Sequence, residues 1–216
     1  MTTQRTSHPQ QTAARSSTGS GQTGYRAFLR RAVRNPGKVG AVAPSSAWLA
    51  REMSAVVPGS GAPVVVELGP GTGSLSHAIA ARLPSAGRHI AVELDPGMAR
   101  YLRTELPWLE VLEGDAAELG SLLQAAGIES IDAVVSGLPW SIFPAAEQRA
   151  ILQQVGGALA PGAAFTTFAY LHALGMSGAR GFRGRLDESF DEVLTSRTIW
   201  RNVPPARFYT CRRPKP

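Results

Sequence analysis

Cysteine and long apolar runs are scarce in this chain, and each shortage argues against a class of protein. Cys211 is the single cysteine among 216 residues, so no intramolecular disulfide can form and a zinc site built on cysteines is not expected. Glycines, a proline and a histidine interrupt the most apolar stretch, residues 155–176, which argues against a transmembrane helix. The N-terminus lacks the apolar core of a signal peptide. We therefore expect a cytoplasmic protein with neither a transmembrane anchor nor a bound metal.

Acidic and basic residues are unevenly distributed. The net charge is +6, and 20 of the 22 basic residues are arginine. Residues 56–178 carry a net charge of −6, whereas the two flanks, 1–55 and 179–216, together carry +12. Basic flanks of this kind favour a polyanionic partner, either nucleic acid or an anionic membrane surface. A contribution to solubility alone would explain the same charge about as well.

The N-terminal part of the chain divides into a polar tail and a basic amphipathic segment. Residues 1–23 are rich in Ser, Thr, Gln and Gly without a hydrophobic period, which predicts a disordered tail. From residue 24 to 35, apolar residues follow helical spacing on one face and arginines occupy the other, which predicts an amphipathic helix. Its apolar residues are Tyr25, Phe28, Leu29, Ala32 and Val33. A second helix is expected after an N-cap at Ser45 or Ser46.

Farther along the chain, short apolar strands alternate with helices. The predicted strands are residues 64–67, 88–93, 109–113, 131–136 and 163–169. Strands separated by helices of this length pair in parallel through right-handed crossovers, so helices should cover both faces of the sheet. The pattern then changes. Residues 175–185, rich in Gly and Arg, are predicted to be a mobile loop, and residues 190–200 and 207–212 to form a terminal hairpin.

The strongest local signal is a glycine-rich turn where the first strand becomes a helix. The stretch Glu67-Leu68-Gly69-Pro70-Gly71-Thr72-Gly73 allows positive φ angles and a close approach of the backbone to a ligand. Its glycine spacing is tighter than that of the dinucleotide fingerprint, and no Gly-Lys-Ser/Thr of a P-loop follows. Acids end the next two strands. Glu93 could accept hydrogen bonds from both hydroxyls of a ribose, and Asp115 from an adenine amine.

The loop, the acids and the strand order together resemble the class I S-adenosylmethionine-dependent methyltransferases over about residues 62–170. This resemblance implies an α/β, Rossmann-like fold with a mostly parallel seven-stranded sheet, a C-terminal antiparallel hairpin and N-terminal helices. Residues 62–216 would form the methyltransferase domain, and residues 24–61 the amphipathic helix and a cap over the active site. The cofactor would be S-adenosylmethionine, with no metal.

The same resemblance implies a set of cofactor contacts, namely Glu67, Gly69, Gly71, Gly73, Glu93, Asp115 and Ser136. The glycines would face the methionine part of the cofactor, Glu93 the ribose and Asp115 the adenine. Glu67 would help to position the ammonium group, directly or through water.

The stretch after the fourth strand bears on the methyl acceptor. Ser136-Gly137-Leu138-Pro139-Trp140 stands where adenine and amide N-methyltransferases carry an Asn- or Asp-Pro-Pro-aromatic tetrad. The missing amide argues against a flipped base as substrate. The chain resembles instead the bacterial phospholipid N-methyltransferases, which convert phosphatidylethanolamine stepwise to phosphatidylcholine. The resembling stretches are residues 35–36, 39–46, 136–139 and 201–206.

This second resemblance implies a phospholipid substrate and an anionic membrane surface as partners, with no nucleic acid. The protein would associate peripherally with the inner face of the membrane. The amphipathic segment would lie in the interface, where each arginine contributes about 1 kcal/mol. A structured RNA or a soluble metabolite remains an alternative acceptor, and a binding module with a vestigial cofactor fold is the third hypothesis.

Candidate catalytic residues follow from this lipid hypothesis. Trp140 and Tyr170 should lie at the carboxyl ends of the fourth and fifth strands, where aromatic faces can hold a methylammonium by cation–π contact. Tyr25 would close over them, and His172 or Tyr170 would relay the proton of the amine. The candidates for binding the substrate phosphate are Arg180 and Arg183, together with Arg185.

Overall fold

A seven-stranded sheet with helices on both faces forms the centre of the computed structural model, which describes residues 45–216. The strands are β1 (Val64–Leu68), β2 (Arg88–Glu93), β3 (Glu110–Glu113), β4 (Ile131–Ser136), β5 (Leu159–Tyr170), β6 (Phe190–Thr195) and β7 (Ala206–Pro214). Their order across the sheet is β3-β2-β1-β4-β5-β7-β6. The first five strands pair in parallel, whereas β7 is antiparallel to both of its neighbours. This arrangement confirms the predicted fold class.

Six α-helices occur in the described part of the chain. They are α1 (Ala47–Met53), α2 (Ser74–Ala80), α3 (Pro96–Glu105), α4 (Leu119–Ala125), α5 (Ala145–Ala158) and α6 (Ser177–Ser189). Ser46 caps α1, since its hydroxyl accepts a hydrogen bond from the amide of Leu49 at 3.2 Å. The predicted tail and the amphipathic helix over residues 24–35 lie outside the described residues.

Helix α6 corrects a prediction. The Gly- and Arg-rich residues 175–185 were expected to form a mobile loop, yet most of them belong to this helix. Ala179, Phe182 and Leu186 fall on one face and are buried against the sheet. The free energy gained by burying that apolar stripe exceeds the cost of helical glycines, about 1 kcal/mol each. Strand β5 also begins four residues earlier than predicted, at Leu159.

The two largest apolar clusters lie on opposite faces of the sheet. The larger one includes the buried side chains of α4, α5 and α6, and the smaller one includes those of α1 and α2. Leu49, Ala50 and Met53 of α1 are fully buried in the smaller cluster. None of the helices in residues 45–216 has the length and apolarity needed to cross a bilayer. The helices packed on both faces hold the sheet in place, so a ligand site can form only in the loops at its edges.

Candidate functional site

Three loops lie side by side at the carboxyl edge of the parallel strands. The amide of Gly69, after β1, donates to the carbonyl of Val92 at 3.1 Å. The amide of Gly114, after β3, donates to the carbonyl of Glu93 at 2.9 Å, and that of Gly137, after β4, to the carbonyl of Leu68 at 2.8 Å. Each bond continues a ladder beyond its strand, so the sequence-predicted loops are adjacent. Open parallel sheets bind their ligands at this edge.

Glycine is required at this edge for two separate reasons, one in the turn after β1 and one in the loop after β4. Gly71 and Gly73 adopt positive φ angles of 55° and 91°, where side chains cause strain. At Gly137, by contrast, the constraint is space, because a Cβ atom would stand 2.7 Å from the carbonyl oxygen of Gly69. Apart from its chain neighbours, no atom of residues 45–216 lies within 4 Å of the position that a Cβ of Gly71 would take. The turn thus has an open side toward which a ligand can approach its backbone.

Glu93 is a buried carboxyl group at the end of β2, with 4% of its surface exposed. Its Oε1 accepts a hydrogen bond from the amide of Asp95 at 2.8 Å. Burial raises the pKa of Glu93 from its usual 4.5 to about 7, and the amide of Asp95 offsets part of the rise. The charged form of such a buried carboxyl group is stabilised by a ligand that supplies hydrogen-bond donors, as the two hydroxyls of a ribose do.

Asp115 lies in the loop after β3 and is also buried. Its Oδ1 accepts a hydrogen bond from the amide of Ala117 at 2.9 Å, which caps the short turn Ala116–Glu118. Glu93 and Asp115 belong to adjacent loops, because the amide of Gly114 binds the carbonyl of Glu93. The sequence-predicted ribose and adenine residues are therefore brought together on one side of the glycine turn.

Glu67 occupies a fully buried position in β1, beneath the glycine turn. Its Oε2 accepts a hydrogen bond from the hydroxyl of Ser76 at 2.7 Å and lies 3.1 Å from Nε2 of His89. No partner for its Oε1 is found among residues 45–216. Since Ser76 belongs to α2, these contacts tie the start of that helix to the sheet. They give Glu67 a part in holding the turn that the sequence did not predict.

A second feature of this edge is a small cleft beside the ends of β4 and β5. Its lining residues are Gly137, Leu138, Pro139, Trp140, Ser141, Phe168, Ala169, Tyr170, Ala179 and Phe182. Tyr170 lies edge-on to Phe168 and stacks on the exposed ring of His172, with ring centroids 5.6 Å apart. The cleft is mostly apolar, so it suits a ligand group that has lost its water.

Trp140 lines this cleft but does not offer the open aromatic face expected from the sequence. Its ring is 2% exposed and stacks on Phe182 with centroids 4.5 Å apart. Its Nε1 donates to the hydroxyl of Ser136 at 3.1 Å. Ser136 is itself fully buried, and its hydroxyl also accepts from the amide of Leu138 at 3.3 Å. Both side chains therefore hold the loop after β4 in shape.

Gln148, which the sequence analysis missed, clamps the same loop from α5. It is buried, and its Nε2 donates to the carbonyls of Trp140 at 2.6 Å and Phe143 at 3.1 Å. Arg185 of α6 donates in turn to Oε1 of Gln148 at 2.8 Å. The sequence signal that could have identified Gln148 is its polar side chain on the apolar face of a predicted helix. Arg185 is therefore engaged inside the fold, away from the position expected of a phosphate ligand.

The two other arginines expected to bind phosphate differ in their surroundings. Arg183 forms an ion pair with Asp187 one helical turn away and lies over the ring of Tyr209. Arg180 is exposed, and its guanidinium donates to the carbonyl of Gly175. Neither lines the cleft, although Arg180 directly follows the lining residue Ala179. Tyr25, expected to close over the site, lies outside the described residues.

The residues at the carboxyl edge fit the adenosine and methionine parts of S-adenosylmethionine. The open side of the glycine turn leaves room for a backbone-bound ligand, and two buried carboxyl groups lie beside it. The apolar cleft begins at the loop after β4, on the same edge of the sheet. Among residues 45–216, no group of three or more His, Cys, Asp or Glu side chains is placed to hold a metal ion.

Sequence comparisons agree with this geometry. Residues 65–162 match the family model described as a methyltransferase domain. The chain is 39% identical over 188 residues to the ornithine lipid N-methyltransferase of Singulisphaera acidiphila. That match covers 86% of this chain and 94% of the relative.

Solved structures share the fold at low sequence identity. An O-methyltransferase from Bacillus cereus in complex with SAH has a TM-score of 0.59 and 14% identity, over 86% of this chain and 91% of that one. A precorrin-6y C5,15-methyltransferase from Geobacter metallireducens has a TM-score of 0.57 and 18% identity, over 77% and 88% of the two chains.

Proposed function

The chain belongs to the class I S-adenosylmethionine-dependent methyltransferases, and from this premise we propose that it methylates the amine of a membrane lipid. The observation that carries the proposal is the apolar cleft beside the cofactor edge, combined with a lipid N-methyltransferase as a relative. The protein would act while bound peripherally to the inner face of the membrane.

S-adenosylmethionine, when bound, supplies an electrophilic methyl group. Glu93 would hold the ribose through its carboxylate and Asp115 the adenine, while Gly69, Gly71 and Gly73 let the backbone lie close to the methionine part. Glu67 would act as a positioning residue through Ser76, and Ser136 by fixing the loop after β4. These contacts would place the cofactor beside the cleft.

The cleft would prepare the lipid amine for reaction. An amine entering among Leu138, Phe168 and Tyr170 loses water, and desolvation favours its neutral, nucleophilic form. The ring of Tyr170 can stabilise the methylammonium that forms, by roughly 0.5–2 kcal/mol. His172 stacks on Tyr170 and is exposed, so it would pass the released proton to solvent. Trp140 would support the wall of the cleft.

Two lipid headgroups fit this proposal. Phosphatidylethanolamine offers an amine and a phosphate, and it is the acceptor implied by the resemblance of residues 136–139 and 201–206 to phospholipid N-methyltransferases. An ornithine headgroup, suggested by the relative, also offers a primary amine. Arg180, which directly follows the lining residue Ala179, would bind the anionic group of either lipid. We favour phosphatidylethanolamine and keep the ornithine lipid as the second candidate.

Incubation of the full chain with labelled S-adenosylmethionine and vesicles tests the proposal. One set of vesicles contains phosphatidylethanolamine, a second contains an ornithine lipid, and a third contains only lipids without a primary amine. We expect methylated lipid from the first set and none from the third. Product from the second set alone would assign the ornithine lipid instead. Methylation of RNA or a soluble amine, with no lipid product, would overturn the proposal.

A further inference from the structure

The turn between β6 and β7 exposes two large apolar side chains. Trp200 is 72% exposed and Val203 is 81% exposed. Turn residues in water are usually small or polar, and an exposed tryptophan forfeits the free energy that its burial would release. The turn is therefore built for contact with a surface that is less polar than water.

Internal contacts hold this turn in a defined shape. Ile199 and Asn202 are buried on either side of the exposed pair Trp200 and Arg201, so the turn is anchored on both sides of that pair. Asn202 accepts a hydrogen bond from the amide of Ser46 at 2.8 Å, and its Nδ2 donates to the carbonyl of Pro204 at 2.6 Å. Because Asn202 is anchored in this way, Trp200 and Val203 project from a fixed base.

Helix α1 adds a second aromatic residue to the same surface. Trp48 is 39% exposed, and the guanidinium of Arg201 lies 4.5 Å from the centre of its ring. We call Trp48, Trp200, Arg201 and Val203 the aromatic wedge. Tryptophan rings bearing a nearby arginine are characteristic of the boundary between a lipid headgroup layer and the acyl chains.

The topology places the aromatic wedge at the edge where the cleft opens. Strand β7 is antiparallel to β5, so its first residue, Ala206, pairs with Tyr170 at the carboxyl end of β5. The amide of Leu171 donates to the carbonyl of Pro205 at 2.8 Å. Tyr170 lines the cleft, and the chain leading into β7 is bonded to the residue that follows it. A surface that contacts the wedge would therefore lie beside the cleft.

The charge around the aromatic wedge matches an anionic surface. Residues 196–207 contain three arginines and no acidic residue. Arg197, Arg201 and Arg207 are all exposed. Each arginine near an anionic bilayer contributes attraction at the headgroup level, while the apolar residues dip below it.

We propose that the aromatic wedge is a membrane-docking surface, which inserts Trp200 and Val203 into an anionic bilayer and turns the cleft toward the lipid headgroups. This inference rests on the proposed function, because docking serves to bring a membrane lipid to the cleft. Its occupant is the lipid surface itself, and it adds a docking element within the catalytic domain to the amphipathic segment expected from the sequence.

The test compares the full chain with the double variant Trp200→Ser/Val203→Ser. Both are sedimented with vesicles of phosphatidylglycerol and phosphatidylethanolamine, and the binding of S-adenosylhomocysteine is measured by calorimetry. We expect partitioning into vesicles to fall by roughly tenfold or more, with cofactor affinity unchanged. The matched control is Tyr101→Ser on α3, which removes an aromatic side chain that is 43% exposed and should leave vesicle binding intact.

Two further measurements separate the possible outcomes. The tryptophan emission of the wild type should shift to shorter wavelength when vesicles are added, and that of the double variant, which lacks Trp200, should shift less. Arg201→Gln should weaken binding to anionic but not to neutral vesicles. Unchanged vesicle binding of the double variant would overturn the proposal. So would a wild-type dimer that dissociates in the double variant, since the wedge would then bind a second copy. Wedge-dependent vesicle binding without lipid methylation would support docking while rejecting the proposed acceptor.

Discussion

At the residue scale, Glu93 combines burial with a proposed role that requires charge. Water stabilises a carboxylate, and in the interior the amides of Asp95 and Leu94 replace only part of that stabilisation. The folded chain therefore holds the carboxyl proton up to about pH 7, whereas the unfolded chain releases it near 4.5. Binding the cofactor's ribose would reverse this preference, because its hydroxyls donate to the charged form.

The first prediction concerns stability against pH. The folded state binds more protons than the unfolded state between about pH 4.5 and 7, so the free energy of unfolding falls as the pH rises through this window. The fall is about 3 kcal/mol at most, from a shift of roughly 2.5 pKa units at 1.36 kcal/mol each. Glu93→Gln should flatten this part of the profile. Urea denaturation at pH 4.5 and at pH 7 measures this change in the free energy of unfolding. An equal change in the Glu93→Gln variant would contradict the prediction.

The affinity for S-adenosylhomocysteine should change in the opposite direction. A ligand that binds only the ionised Glu93 binds about tenfold more tightly one unit above the pKa than one unit below it. The Glu93→Gln variant should bind S-adenosylhomocysteine weakly at both pH values. Calorimetry across this pH range measures the affinity. A wild-type affinity that does not depend on pH would show that Glu93 does not bind the ribose.

Arg180 and Arg183 permit a matched comparison for headgroup binding. Arg180→Gln should raise KM for the lipid by roughly tenfold with little change in kcat, since a charge-assisted hydrogen bond contributes about 1.5–3 kcal/mol. Arg183→Gln removes the ion pair with Asp187 and the contact with the ring of Tyr209, both away from the cleft, and should leave KM unchanged. Initial rates on vesicles of fixed composition distinguish them. Equal effects of the two substitutions would mean that general charge, not Arg180, governs binding.

At the scale of elements, helix α6 supports the cleft through backbone contact. A Cβ atom at Gly178 would stand 2.1 Å from the carbonyl oxygen of Ser141, in the loop after β4. Ala179 and Phe182 of the same helix line the cleft. The helix can reach the loop only because Gly178 lacks a side chain, and Gln148 holds the loop from its other side.

Gly178→Ala should therefore displace the loop and disturb the cleft. We expect a loss of about 1–3 kcal/mol in the free energy of unfolding, together with a raised KM for the lipid and an unchanged affinity for S-adenosylhomocysteine. Gly184→Ala is the control within the same helix. A Cβ there meets no atom within 4 Å, so the variant should be as stable as the wild type or more stable by up to about 1 kcal/mol. Equal stability of the two variants would contradict the close contact.

Local sequence patterns predicted the sheet more fully than the cleft. The strand at residues 131–136 and the bend at Gly71 could be predicted from consecutive residues. The hydrophobic period, the glycines and the acids at the strand ends are all local features of the sequence. Helix α6 was missed because its glycines signal a loop, while the burial of Phe182 depends on a distant partner, Trp140. The engagement of Trp140 and Gln148 inside the fold likewise arises from tertiary contacts that no local pattern contains.

At the scale of the whole molecule, charge and apolar exposure converge on one edge. The acidic middle of the chain supplies most of the cofactor edge, including Glu93 and Asp115, whereas the basic flanks include the arginines beside the aromatic wedge. The sheet brings both to the carboxyl ends of its strands, because the antiparallel β7 starts where β5 ends. Docking through this edge would align a lipid headgroup with the cleft without moving the cofactor contacts.

The two kinds of contact should respond differently to salt. Raising the ionic strength from about 0.05 M to about 0.5 M shortens the Debye length from roughly 14 Å to 4 Å, which screens exposed arginines but not buried groups. We expect the partitioning of the full chain into phosphatidylglycerol vesicles to fall by roughly tenfold or more, while its affinity for S-adenosylhomocysteine changes by less than about twofold. Neutral phosphatidylcholine vesicles serve as the control and should bind weakly at both salt concentrations, through the apolar part of the wedge alone. Binding that is equal on the two kinds of vesicle and insensitive to salt would show that the arginines do not contribute to docking.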